Sequence, residues 1–371
     1  MTADELRRYS RQTILGEVGV GGQELLKSAR VLVVGAGGLG TPLSLYLAAA
    51  GIGTIGLVDD DKVSLDNLHR QILYGDADVG KSKVVTAKDR LGRLKSVDVV
   101  AHEERFTEDN ARKLLKDYDV VCDGTDNFAV RYLINDYSIE MRKPNVHASV
   151  FQFQGQLSVF GYKDGPCYRC LFPNRPAHAP SCEEAGVLGV VPGVMGLLQA
   201  TEVLKVVLGV GEPLSGRLLM YDALTAKTSE VRFNRDRLCP CCGTNRDEAH
   251  LKQAYSETES CVMHLQVPEI SPLELKAELE SSSPPVIVDV REDHEREIST
   301  LPNAIAIPLG QLPTRYGELD QAANMVILCR SGSRSAQATA FLMGLGYKRV
   351  RNLATGINGW ATTVDPTMPT Y

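Results

Sequence analysis

The chain has 371 residues, 43% of them hydrophobic and 23% charged, with a net charge of −6 at pH 7. That length is too great for one ordinary domain and points to two, while the acidic balance argues against a general nucleic-acid or anionic-membrane binder and no apolar run approaches a membrane span. The opening residues MTADELRRYSRQ lack the apolar stretch of a signal peptide, so the nine cysteines are expected to serve metal binding and catalysis in a cytoplasmic protein rather than disulfides.

Taken in chain order, Arg30–Val34 is a β-branched run that ends in Gly35-Ala36-Gly37-Gly38-Leu39-Gly40. A helix is predicted from about Thr41 to Ala50, then a strand over Thr54–Val58 that stops at Asp59-Asp60-Asp61. Further strands are predicted over Val97–Ala101, Asp119–Cys122 and Asn145–Val150, with helices between them. This alternation predicts an α/β fold with a mostly parallel, Rossmann-like sheet. Phe151–Tyr162 reads FQFQGQLSVFGY, an alternation expected of antiparallel strands appended to that sheet, which makes it mixed. The apolar helix Val190–Leu208 is expected to pack inside this first domain. Asn245–Glu259 is polar with no evident buried face and reads as an interdomain linker. A second, smaller α/β unit follows, with strands at Pro285–Val290 and Met325–Leu328 and a helix from about Ser335 to Gly344. The expected boundaries are 1–245, a linker over 246–262, and 263–371.

Gly35-x-Gly37-x-x-Gly40 lies between a strand and a helix, the setting in which backbone N–H groups and a helix N-terminus can meet a phosphate. Asp59, at the end of the next strand, is placed to accept from ribose hydroxyls. By the motif alone a dehydrogenase-type dinucleotide site is the better reading. Arg70, in Asn67-Leu68-His69-Arg70-Gln71, and Lys83, in Gly80-Lys81-Ser82-Lys83, add the cationic groups that a reacting triphosphate needs. Asp123-Gly124-Thr125-Asp126-Asn127 ends another parallel strand, where Asp126 is either a Mg²⁺ ligand or the cap of a helix over Asn127–Met141.

Cys167-x-x-Cys170 and Cys239-x-x-Cys242 are two chelating turns, together the four thiolates of a structural Zn²⁺ site, with Cys241 a competing ligand. Cys182 stands alone after a proline-rich stretch, and its acidic neighbours Glu183 and Glu184 disfavour a thiolate. Cys329-Arg330-Ser331-Gly332-Ser333-Arg334-Ser335 follows the apolar run Met325–Leu328. Such a loop can turn backbone N–H groups and arginines toward a thiolate or persulfide. Only four residues separate Cys329 from Arg334, a smaller ring than a tyrosine-phosphatase loop and suited to a sulfur atom.

With these motifs in hand, residues from about Leu6 to Gly243 resemble the MoeB/ThiF-type sulfur-carrier adenylyltransferases, relatives of ubiquitin-activating enzymes. The resemblance rests on Arg8–Gln12, Gly35–Gly40, Asp59–Arg70, Lys83, Asp123–Asn127, Cys182–Gly186 and the paired cysteines. Residues from about His264 onward resemble a rhodanese domain, at Asp289-Val290-Arg291 and Cys329–Ser335. The whole is similar to the molybdopterin-synthase sulfurylase type, which serves molybdenum-cofactor synthesis, thiamine synthesis or tRNA thiolation. The resemblance implies that Gly37, Asp59, Asp61, Asn67, Arg70, Lys83 and Asp126 bind MgATP, with Arg11 reaching the triphosphate of the other subunit in a homodimer. It implies Zn²⁺ on Cys167, Cys170, Cys239 and Cys242, an acceptor role for Cys182 and a persulfide on Cys329. Its implied partners are a ubiquitin-like sulfur-carrier protein ending in Gly-Gly and a sulfur donor such as a cysteine desulfurase. The motif at Cys182 reads Cys-Glu-Glu-Ala-Gly where the fusion proteins have Cys-Ala-Asp-Gly-Gly. The competing expectation is a nucleotide-binding redox sensor without adenylyltransferase activity.

Overall fold

The strands Arg30–Val34 (β1) and Thr54–Val58 (β2) are buried almost throughout, as their unbroken apolar sequences require of parallel strands covered on both faces. The computed structural model describes residues 1–94, 97–175, 186–255 and 267–371. They fall into two units, Met1–Glu257 and Thr258–Tyr371.

The first unit continues with β3 (Asp98–His102), β4 (Val120–Asp123), β5 (Asn145–Phe151), β6 (Gln154–Phe160), β7 (Arg217–Asp222) and β8 (Lys227–Arg232). The sheet order is β3-β2-β1-β4-β5-β6-β7-β8. Pairing is parallel from β3 through β5 and antiparallel from β5 to β8. The chain leaves β1 toward β2 and β3 on one side and returns on the other at β4. The crevice between the carboxyl ends of β1 and β4 is therefore the topological switch point, where such sheets bind ligands. The FQFQGQLSVFGY alternation is the β5–β6 hairpin, closed by Gln152 and Phe153, with Phe151 opposite Gln154.

The helix Gly40–Ala50 buries Leu43 and Leu47 completely, each contributing about 1.5–3 kcal/mol over an exposed side chain. Val190–Leu208 is long and apolar enough to cross a membrane, yet it buries Val191, Met195 and Val203 in the same cluster as Leu43 and Leu47. It serves as a core helix of this unit.

The expectation for 246–255 needs correction, because these residues pack on the first unit. Asp247 caps the helix Glu248–Gln253 by accepting from His250 N, and Leu251 is fully buried. One buried leucine in six residues leaves no periodic pattern to read. Its burial depends on a tertiary partner, the cysteine cluster of the same unit.

The second unit has β9 (Glu269–Ile270), β10 (Val286–Asp289), β11 (Ile305–Ala306), β12 (Met325–Leu328) and β13 (Val350–Leu353). They form an all-parallel sheet in the order β11-β10-β12-β13-β9. One apolar cluster holds Val288, Ile327 and Leu342, and another holds Leu275, Leu328 and Trp360. The alternation Ile327, Leu328 along β12 sends successive side chains into the two clusters, so the strand that delivers Cys329 is held from both faces.

Candidate active site

At the switch point lies a cavity of about 220 Å³. Gly35 and Gly40 make it possible. Gly35 has φ +95°, and a Cβ on Gly40 would stand 1.9 Å from the Gly35 carbonyl oxygen, so only glycine lets the helix start against the strand end. Of the nucleotide residues expected from the sequence, Gly37, Asp59, Asp61, Arg70, Lys83 and Asp126 line this cavity. Asp59 braces the glycine loop, its Oδ2 accepting from Ala36 N at 2.7 Å. Burial pushes its carboxyl upward against the opposing pull of Lys83. Lys83 is itself buried and paired with Asp61 at 2.8 Å. Asn67 is buried but outside the lining; its carbonyl accepts from Arg70 N at 3.0 Å, so it shapes the turn that carries Arg70. Arg11 is exposed on the short helix Ser10–Thr13 and does not line the cavity of its own chain.

The cap of the helix Phe128–Glu140 is Asn127, whose Oδ1 accepts from Ala129 N and Val130 N. Asp126 is thus not the cap, and it lines the same cavity as Gly37 and Gly38. Sequence reasoning missed what holds this loop. Asp123 is fully buried, accepts from Thr125 N at 3.0 Å and Thr125 Oγ1 at 2.7 Å, and takes a 2.8 Å hydrogen bond from His147 Nδ1. Burial alone would raise Asp123, but His147 and the nearby Arg131 guanidinium outweigh it and the carboxyl lies below its usual range. Arg131 and Arg105 also line the cavity. The position of Arg131 one helical turn after Asn127 was the available signal.

Cys167, Cys170, Cys239 and Cys242 come together with all four sulfurs within 4.8 Å of one another. Neighbouring sulfurs stand 3.9, 3.5 and 3.3 Å apart. A tetrahedral Zn²⁺ with sulfur at about 2.3 Å needs sulfurs about 3.8 Å apart, so this donor set fits that ion. Cys241 stands outside the set and takes a contact from Asn135 Nδ2 at 3.7 Å. Hydrogen bonding with Cys167 holds Cys170 down at about 7. Arg169, between the first two cysteines, forks onto Asp136 at 2.7–3.0 Å with both side chains buried. Asp136 also accepts from Tyr255 at 2.9 Å and Asn135 at 2.8 Å. Cys182 lies outside the described residues.

In the second unit Cys329 directly follows β12 and is 1% exposed. Its sulfur accepts from Gly332 N at 3.1 Å and Ser335 Oγ at 3.2 Å. Gly332 has φ +101°, and the helix begins at Ser333 rather than near Ser335, so the turn is tighter than expected. Arg334 takes a carboxylate as its hydrogen-bond partner. It forks onto Glu295 at 2.7 and 2.5 Å, a partner from another helix that the loop sequence could not reveal.

These geometries match known proteins. Residues 9–241 match the model of the ThiF family, and residues 271–363 that of the Rhodanese-like domain. The chain therefore belongs to the ThiF family and carries a rhodanese-like domain behind it. Over its whole length it is 39% identical to "Adenylyltransferase and sulfurtransferase MOCS3-1" of Zea mays, covering 100% of this chain and 84% of that protein. It is 41% identical to the MOCS3 protein of Culex quinquefasciatus, covering 99% and 90%, and 40% identical to that of Sus scrofa, covering 100% and 89%. Among solved structures, E. coli MccB crystallised with ATP is 25% identical with a TM-score of 0.55, over 64% of this chain and 74% of that one. The chain is an enzyme of the adenylyltransferase and sulfurtransferase class, and the sensor alternative is not favoured.

Proposed function

We propose that the first unit adenylylates the C-terminal Gly-Gly of a ubiquitin-like sulfur-carrier protein with ATP, and that the second unit supplies sulfur from a Cys329 persulfide. The single observation that carries this reading is the convergence of Arg70, Lys83 and Asp126 on one cavity at the switch point, beside a glycine loop open to phosphate. The carrier carboxylate is already a nucleophile, so attack on the α-phosphorus needs no general base. Catalysis is positioning plus charge neutralisation. Arg70 and Lys83 hold the triphosphate, and Arg11 is assigned to the site of the other subunit in a homodimer. Asp126 would hold Mg²⁺, which would supply charge neutralisation as pyrophosphate leaves; Asp59 and Asp61 line the same cavity.

Attack of the persulfide on the acyl-adenylate releases AMP and leaves an acyl disulfide. A second thiol, in this reading Cys182, then attacks the Cys329 sulfur of that disulfide; the carrier thiocarboxylate leaves, and the Cys182–Cys329 disulfide formed is reduced by an external dithiol before the next cycle. Zn²⁺ on the four cysteines is structural, since four thiolates leave no open position for chemistry. The sulfur donor is a persulfide-forming enzyme such as a cysteine desulfurase, and the setting is the cytoplasm. Cys329→Ala tests the reading. It should retain carrier adenylation and pyrophosphate release while losing both thiocarboxylate formation and thiosulfate-to-cyanide transfer. Sulfur transfer at the parent rate would overturn the role of Cys329.

A further inference from the structure

The segment Asp365–Tyr371 folds back onto the Cys329 loop. Met368 and Tyr371 pack against the apolar cluster of Leu353 and Trp360. The Tyr371 hydroxyl accepts from Arg291 Nη1 at 2.7 Å and donates to Glu295 Oε1 at 3.3 Å. Its main-chain oxygen accepts from Arg330 Nε at 2.5 Å and from Asn358 Nδ2 at 2.8 Å. The Arg330 guanidinium also lies over the tyrosine ring, 5.3 Å from its centroid. One residue thereby touches Arg330 directly and reaches Arg334 through their common partner Glu295.

We propose that Tyr371 is a positioning residue for sulfur transfer at Cys329: it holds Arg330 against the loop and shares Glu295 with Arg334, and so sets the positive charge that reaches the sulfur. The inference deepens, and rests on, the reading of Cys329 as the sulfur carrier. A guanidinium already fixed beside the loop needs no reorganisation when the sulfur becomes anionic, whereas one released into water is screened. Glu295 works in the opposite sense. It neutralises Arg334, and the Tyr371 hydroxyl draws off part of its accepting capacity. Loss of the tyrosine side chain removes the ring contact on Arg330 and the hydroxyl contact on Glu295, and so weakens the charge reaching the sulfur, while the main-chain contact to Arg330 remains.

The test uses the full chain with Tyr371→Phe and Tyr371→Ala. It reads thiosulfate-to-cyanide transfer across pH, with Cys329 alkylation followed by mass spectrometry as a second readout. A weaker positive field disfavours the anionic sulfur, so the acid limb should move to higher pH in Tyr371→Ala. Transfer should fall roughly threefold to tenfold below that limb and recover toward the parent value above it. Tyr371→Phe keeps the ring over Arg330 and should fall between. A purely structural role would lower the rate by one factor at every pH, and that result, or a parent-like profile, overturns the proposal. Should Tyr371→Ala fail to fold, Asn358→Ala decides with the same readouts, because it releases the main chain of Tyr371. Cys329→Ala separates the two claims. If it still transfers sulfur, the underlying reading fails; if it is inert while the Tyr371 variants keep the parent profile, only the positioning role fails.

Discussion

Asp136→Asn should destabilise the first unit more than any exposed substitution in it. Asp136 is 0% and Arg169 2% exposed, and the carboxylate takes hydrogen bonds from Arg169, Tyr255 and Asn135. The amide keeps the shape and removes the charge, leaving a buried guanidinium unpaired. Removing one partner of a buried ion pair costs about 3–5 kcal/mol. At roughly 2–4 °C per kcal/mol for a domain of this size, the melting transition should fall by about 6–20 °C. Differential scanning calorimetry of the full chain reads it, since the second unit has its own core and serves as an internal reference. Arg169 sits between Cys167 and Cys170, so zinc should also be lost at lower chelator concentration in the variant. A first-unit transition within about 2 °C of the parent would refute the assignment of this pair as the clamp of the cysteine cluster.

Asp126→Ala should abolish ATP–pyrophosphate exchange with little change in melting, because Asn127 and not Asp126 caps the following helix; exchange near the parent rate would remove Asp126 from the nucleotide site. Cys239→Ser/Cys242→Ser should lose the one zinc per chain that elemental analysis is expected to find in the parent, and full retention would break the four-cysteine assignment. For Glu295, burial alone would raise the carboxyl, but hydrogen bonds from Arg334 and Glu292 N outweigh it and hold it below its ordinary value of 4.5. A depressed carboxyl contributes stability that is complete above that ordinary value and is lost as pH falls through the folded one. The second unit should therefore melt lower in acid, and Glu295→Gln should lower its melting temperature at neutral pH while flattening the acid limb; an unchanged acid limb would count against the Glu295–Arg334 pair.

The local grammar of this chain was legible without coordinates. Continuous apolar runs at β1, β2 and β12 and glycines at Gly35, Gly37 and Gly40 specify parallel strands and a phosphate-sized turn, because a period of two or 3.6 residues and a missing Cβ are properties of the sequence itself. Cys-x-x-Cys turns likewise announce a metal by spacing alone. What tertiary structure decided is every partnership between residues far apart in the chain. It gathered Cys167 and Cys170 with Cys239 and Cys242, gave the helix cap to Asn127, and buried Leu251 in a stretch that reads as linker. It paired Arg334 with Glu295 and brought Tyr371 to Arg330, 41 residues along the chain. A charged side chain's sequence neighbours do not state which opposite charge it will meet. That is settled only when separate elements pack, since burying a charge forces it to take the partner the fold places within reach.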